Sequence, residues 1–317
     1  MTRDAQHTSD RYDLDALRSA MLSERGGEVD DSIPELAAAD PDVCGIAIVD
    51  RDGDVRDTED ADREFSIQSA VKPFVYALAL ADAGDDGQAV LEAVGTEPTG
   101  EAFDAVILES ETGRPPNPMV NAGALLTANL VSGSTPDERF ERILAGISAF
   151  AGHELRVDAD VSESEQLLGD RNRALGYLMR SRGTLGVPVD DAISVYARAC
   201  SLVVSAEVLA VMGATLAFGG RNPVTGEQVV PGSVVTTVLS VMATCGMYDG
   251  SGGWMRRVGL PAKSGVAGGL VASVPWQLGL GVYSPPLDEV GNSVRGVLVC
   301  ERLSDDLGLH VFGPPPA

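Results

Sequence analysis

The chain has 317 residues, enough for one large domain or two closely joined ones, and 47 acidic against 23 basic residues give it a net charge of −24. The carboxylates are spread along the chain, which argues against nucleic acid or an anionic membrane as partner. Such acidity suits either a concentrated-salt cytoplasm, where screening removes self-repulsion, or a GC-rich genome that favours Asp, Arg, Ala, Gly and Val.

Residues 1–10 read as a loose polar tail with no apolar signal core, and no later stretch reads as a membrane span, so a cytoplasmic protein is expected. Leu14, Leu17, Met21 and Leu22 fall at helical spacing and predict an amphipathic helix over 12–25. The β-branched run 43–49 followed by Asp52-Gly53 predicts a hairpin. The continuously apolar run 65–80 predicts a buried helix, broken by glycines at 84 and 87. Pro and Gly content makes 96–100 and 113–118 loops, and helices are expected over 137–150, 162–181, 188–202, 205–218 and 232–245. A glycine-rich turn at 246–253 precedes strands over 263–274 and 277–283 and a valine-rich third at 294–300. Strand signals at both ends with helices between them predict an α+β fold. Its antiparallel sheet is built from both terminal regions and packed with helices, with a helical subdomain beside it and the active site at the junction. The expected catalytic domain is single and spans 29–312, its sheet-containing part at about 29–68 and 246–312 and its helical part at about 69–245. A tail with a helix (1–28) and a short tail (313–317) flank it.

The chemistry concentrates in the apolar run. Ser69 and Lys72, three residues apart, fall on one helical face, where an amine desolvated by apolar walls can lose its proton and then take one from the serine hydroxyl. Only two of the 23 basic residues are lysines, Lys72 and Lys263. Arginine cannot serve as a base, so a lysine kept against that background points to amine chemistry rather than charge. Lys263 opens Lys263-Ser264-Gly265, and S-x-x-K followed much later by K-[ST]-G is the signature pair of a class of active-site-serine enzymes. Cys44, Cys200, Cys245 and Cys300 share no metal-ligand spacing, and His7, His153 and His310 are scattered. No metal, cofactor or local Ser-His-Asp triad is therefore expected. Asn121, among small apolar residues, is either a helix cap or a site residue. Glu165 and Asn172 lie about two turns apart on one expected helix, although an isolated glutamate in so acidic a chain is usually a solvated charge.

Several stretches together resemble the serine-dependent glutaminases, which share the fold of serine β-lactamases and penicillin-binding proteins. They are Gln68-Ser69-Ala70-Val71-Lys72-Pro73, Glu97-Pro98-Thr99-Gly100, Asn117-Pro118-Met119-Val120-Asn121-Ala122-Gly123-Ala124, Gly169-Asp170-Arg171-Asn172, Cys200-Ser201, Cys245-Gly246-Met247-Tyr248-Asp249 and Gly259-Leu260-Pro261-Ala262-Lys263-Ser264-Gly265-Val266. The resemblance implies hydrolysis of L-glutamine to L-glutamate and ammonia by a homo-oligomer, dimer or tetramer. It implies Ser69 as nucleophile, Lys72 as its base, Tyr248 as proton carrier and Lys263 as a further catalytic group. Substrate-binding positions fall on Asn121, Glu165, Asn172, Tyr196, Tyr248 and Val266. Those residue types suit a zwitterionic amino acid, with a carboxylate for its ammonium and neutral donors for its carboxylate. The chain departs from the family pattern at Ser32, where a tyrosine is common, at Ala199, where a glutamine precedes Cys-Ser, and at Gly253. The sequence leaves two other readings: a penicillin-interacting serine hydrolase, and a catalytically degenerate glutamine-binding protein.

Overall fold

A computed structural model of the chain describes residues 12–100 and 108–314. The expected tail at 1–10 and the last three residues, 315–317, lie outside them. In chain order the elements are helices α1 (Leu14–Met21) and α2 (Pro34–Ala37), strands β1 (Gly45–Val49), β2 (Val55–Asp57) and β3 (Phe65–Ser66), a 3-10 turn (Gln68–Val71), and helices α3 (Lys72–Ala83), α4 (Gln88–Ala93), α5 (Asn121–Ala128), α6 (Pro136–Ala151), α7 (Ala159–Leu168), α8 (Asp170–Ser181) and α9 (Val189–Cys200). There follow β4 (Val203–Val204), α10 (Ala206–Ala217), α11 (Gly232–Cys245), α12 (Ser251–Arg257), β5 (Ala262–Ser264), β6 (Gly269–Val274), β7 (Leu278–Tyr283) and α13 (Val294–Leu307).

The main sheet is antiparallel, in the order β2-β1-β7-β6-β5. Its two N-terminal strands join three C-terminal ones through the β1–β7 pair, as strand signals at both ends of the chain require. On one face Ile46, Ile48, Leu270, Ala272, Leu280 and Val282 pack with Leu14 and Leu17 of α1, Trp254 of α12 and Val299 and Leu303 of α13. On the other face Ala47, Val49, Val271 and Tyr283 join the larger core of the helical half, centred on the buried run 73–80 of α3 and on α5, α6, α9 and α10. The period-two alternation of a strand buried on both faces thus assigns its residues to two separate cores. Helix α10 lies directly on β7. A Cβ added at Gly281 would sit 2.0 Å from Ala206 O, and one at Gly279 would sit 2.0 Å from Ala214 N. Glycine there lets helix backbone approach strand backbone.

Four expectations are corrected. The valine-rich stretch 294–300 is not a strand: it opens α13, whose N-cap Ser293 accepts from Gly296 N. Buried Val299, Cys300 and Leu303 give that helix its inward stripe. Residues 263–274 form two strands, β5 and β6, turned by Gly265 N to Gly269 O and Gly268 N to Gly265 O hydrogen bonds. The single helix expected over 162–181 is broken at Gly169 into α7 and α8. The glycine-rich stretch 246–253 is a turn only as far as Gly250, after which α12 begins. Among the described residues no helix is long and apolar enough to cross a membrane.

Candidate active site

The Ser69 turn is held from three sides. Strand β3 pairs with β4, and Ile67 N donates to Leu202 O at 2.8 Å, which ties the turn to the end of α9. Gln68 takes a positive φ of 48°, a strained conformation for a side-chain-bearing residue, immediately before the serine. From the sheet side the β5–β6 turn presses in: a Cβ at Gly265 would stand 2.9 Å from Ile67 O and 3.2 Å from Ala70 N. This is a physical reason for the glycine that ends Lys263-Ser264-Gly265. Ser69 is thereby 7 % exposed, at the junction of sheet and helices.

Lys72 begins α3 and is fully enclosed. Its Nζ donates to Met119 O at 3.1 Å and to Asn121 Oδ1 at 2.7 Å. Burial lowers its pKa from 10.5 to about 8, the nearby Cys200 and Glu165 pulling the other way. The direct Ser69–Lys72 hydrogen bond that their spacing allows is not made. The two acceptors of Lys72, Met119 O and Asn121 Oδ1, occupy two N–H groups, so the lone pair gained on losing the third proton is left free. Because lysine only donates, Asn121 must turn its oxygen to Lys72, and its Nδ2 then donates to Asn172 Oδ1 at 3.2 Å. The amide of Asn172 is left as a donor for a ligand. Asn121 is therefore not a cap: the cap position is Val120, and Asn117 Oδ1 accepts from Met119 N and Val120 N instead.

Tyr248 also has a positive φ, 56°. Its hydroxyl donates to Ser264 O at 3.1 Å and lies within hydrogen-bonding reach of Ser69. Burial raises its pKa, the Ser69 contact opposing. Lys263 is fully buried, its Nζ 4.0 Å from the centre of the Tyr248 ring and 2.5 Å from Ser264 O. Burial first, and then repulsion from Lys72, hold its pKa well below the ordinary lysine value.

A cavity of about 250 Å³ opens beside these groups, lined by Ser69, Asn121, Glu165, Asn172, Tyr196 and Val266 among others. Every predicted substrate-binding position except Tyr248 lines it, although these residues come from six parts of the chain. Glu165 and Asn172 reach it from two helices rather than one: Gly169 lets the chain turn between α7 and α8. Burial raises the Glu165 pKa, the Gln68 amide lowers it, and Asp30 and Glu35 raise it further. Tyr196, one turn before Cys200 on α9, is buried against that thiol and within reach of Ser69. Val266 lines the cavity from the β5–β6 turn, whose backbone hydrogen bonds are donated by Gly265 N and Gly268 N and not by Val266 N. The cavity also contains Asp30, Ser32, Gln68, Arg171 and Cys200. Of these the sequence reading missed Asp30, Gln68, Arg171 and Cys200 as site residues. Cys200 was within reach of an i, i+4 argument from Tyr196; Asp30 and Arg171 carried no signal among so many charges. Among the described residues no group of His, Cys, Asp or Glu is placed to hold a metal ion.

A profile of the family described as Glutaminase matches residues 27–312. The chain is similar to a glutaminase of Clavibacter michiganensis subsp. michiganensis, at 62 % identity over 98 % of this chain and 95 % of the relative. It is 48 % identical to a glutaminase of Microcystis aeruginosa over 90 % of this chain and 84 % of that one. Among solved structures, a probable glutaminase, ybaS, superposes with a TM-score of 0.92 at 39 % identity, covering 98 % of this chain and 99 % of the other. A Bacillus glutaminase superposes at 0.85 and 32 % identity, covering 98 % and 100 %. The sheet order, the helical half and the serine at their junction are those of the serine β-lactamase-like fold, and the chain belongs to the glutaminase family.

Proposed function

We propose that the protein hydrolyses the side-chain amide of L-glutamine to L-glutamate and ammonia through an acyl-enzyme on Ser69. The observation that carries the reading is the hydrogen-bonded series Lys72–Asn121–Asn172, which runs from the Ser69 turn into the cavity. A cavity of about 250 Å³ falls below the roughly 300–1,000 Å³ common for drug-sized ligands and suits a single amino acid. Glu165 takes the α-ammonium; Asn121, Asn172 and Tyr196 take the α-carboxylate. Ser69 Oγ attacks the amide carbon as its proton passes to Lys72 in its deprotonated form, which a pKa of about 8 brings within reach of neutral pH, and the oxyanion lies against backbone N–H groups of the Ser69 turn and Val266. Tyr248, bridging Ser69 and the Lys263-Ser264 strand, hands a proton to the nitrogen as the C–N bond breaks and ammonia departs. Lys263 fixes the Tyr248 ring and the Ser264 carbonyl. Water then cleaves the ester by the same groups in reverse, giving glutamate and free Ser69.

We read residues 29–312 as a single catalytic domain. Four buried free thiols support a reducing, cytoplasmic setting. Exposed Leu167, Leu168 and Tyr177 on α7 and α8 support a homo-oligomer, which sedimentation would test. The catalytic reading is tested by ammonia release. Ser69→Ala and Lys72→Arg should each abolish it with the fold intact, since arginine keeps the charge but cannot act as a base. Near-normal turnover by Lys72→Arg would refute the serine–lysine scheme.

A further inference from the structure

The strap between α1 and α2 brings a second carboxylate to the cavity. Glu28 and Leu287 exchange backbone hydrogen bonds of 3.0 and 2.8 Å, which pins the strap to the segment following β7, and two residues later Asp30 lines the cavity beside Ser32 and Ile33. The Asp30 carboxylate is locally fixed. Its Oδ1 accepts from Ser32 N at 3.0 Å and from the Ser32 hydroxyl, so the side chain is held by a turn of its own making. Among the described residues its other oxygen makes no hydrogen bond. Asp30 and Glu165 line the same cavity, and the Asp30 charge acts on Glu165 and also on Tyr248.

Resting on the glutaminase reading, we propose that Asp30 is a specificity-determining residue that shares the substrate's α-ammonium with Glu165. Asp30 and Glu165 repel each other, a cost that a bound cation relieves. An α-ammonium seated between them exchanges that repulsion for two charge-assisted contacts. A γ-amide that lacks the amine meets two carboxylates with nothing to offer them. The pair therefore selects for a free α-amine twice over, once by attraction and once by leaving the wrong ligand facing uncompensated charge. Ser32 contributes by anchoring the carboxylate and leaving the cavity open above it.

The test compares L-glutamine with glutaramate, the same amide without the α-amine, in wild type and Asp30→Asn. Asparagine keeps an acceptor for Ser32, so the turn is preserved while the charge is removed. The expected result is a rise in KM for glutamine with kcat little changed. The ratio of kcat/KM for glutamine to that for glutaramate should fall about tenfold, equivalent to about 1.4 kcal/mol. Adding Asp30→Asn to Glu165→Gln should cost less than it does in wild type, because the two groups serve one ligand atom. Equal losses on both substrates would make Asp30 a structural support and overturn the proposal, as would an unchanged ratio. Absence of ammonia release from glutamine by the wild type would instead sink the underlying reading.

Discussion

Replacing Lys72 with methionine separates what this residue does for catalysis from what it does to stability. The amine is 2 % exposed and burial brings its pKa from 10.5 to about 8. At about 1.36 kcal/mol per pH unit, the fold at pH 7 therefore carries an ammonium that costs about 3 kcal/mol relative to the unfolded chain. The sign is fixed by the direction of the change. A lysine that holds its proton less tightly in the fold destabilises below pH 8, where both states are protonated, and this penalty fades as pH rises from about 8 to 10.5. Methionine removes the charge and leaves Met119 O and Asn121 Oδ1 without a donor, at a cost of about 1–2 kcal/mol. Relief of the repulsion on Lys263 acts in the stabilising direction. The variant should be about 1–2 kcal/mol more stable than wild type in urea unfolding at pH 7, and should release no ammonia from glutamine. By pH 9.5 the charge penalty falls to about 1.4 kcal/mol, so the advantage should largely vanish. A variant less stable at pH 7, or an advantage unmoved by pH, would refute the account of Lys72 as a costly buried charge. Retained turnover would remove it as the base.

Glu165→Gln should raise KM for glutamine strongly. It should also abolish the acid limb of the wild-type kcat/KM profile, which burial of this carboxylate places above the ordinary glutamate value; a pH–rate series on both proteins measures this. Gly281→Ala drives a methyl group to 2.0 Å from Ala206 O and 2.6 Å from Ala210 N, both backbone, and should cost about 3 kcal/mol or more in unfolding free energy. Tyr76 is fully buried with a hydroxyl that finds no partner among the described residues, so Tyr76→Phe should be neutral or stabilising by up to about 1 kcal/mol in thermal melts. The net charge of −24 should make the melting temperature rise between dilute buffer and molar salt, and a flat midpoint would favour genome composition as the cause of the acidity.

The sequence made the helical centre and the two-ended sheet readable because their hydrophobic periods are long and undisturbed. It failed where a short pattern fits two structures. Val294, Val297 and Val299 look like strand, and only Leu303 and Leu307, a turn and two turns further on, show that the period is helical. Gly169 was invisible as a break because a helical pattern continues on both sides of it, yet the break is what turns Glu165 and Asn172 into one cavity. Ser69, Lys72 and Lys263 were legible because lysine is so rare in this chain. Asp30 and Arg171 were not, since nothing distinguishes one aspartate from many others until the fold places it. Tyr196 and Tyr248 were found through motif resemblance, and their nearness to Ser69 depends on tertiary contacts between α9, the β3–β4 pair and β5 that no local pattern encodes.

The pairing of β1 with β7 also sets an order of events in the cell. Residues 45–49 leave the ribosome well before their partners, 279–283, are made. About 230 residues separate the two strands, so at about 5–20 residues per second β1 waits about 10–45 s with an apolar face and an unpaired edge. The α10 backbone that later lies on Gly279 and Gly281 is likewise synthesised before the surface it needs. The Ser69 turn cannot acquire its final geometry until Gly265 arrives from the C-terminal strands. A nascent chain is thus inactive until β5, β6 and β7 have been made, and its exposed β1 strand is the segment that a chaperone must shield and the one from which misassembly would start.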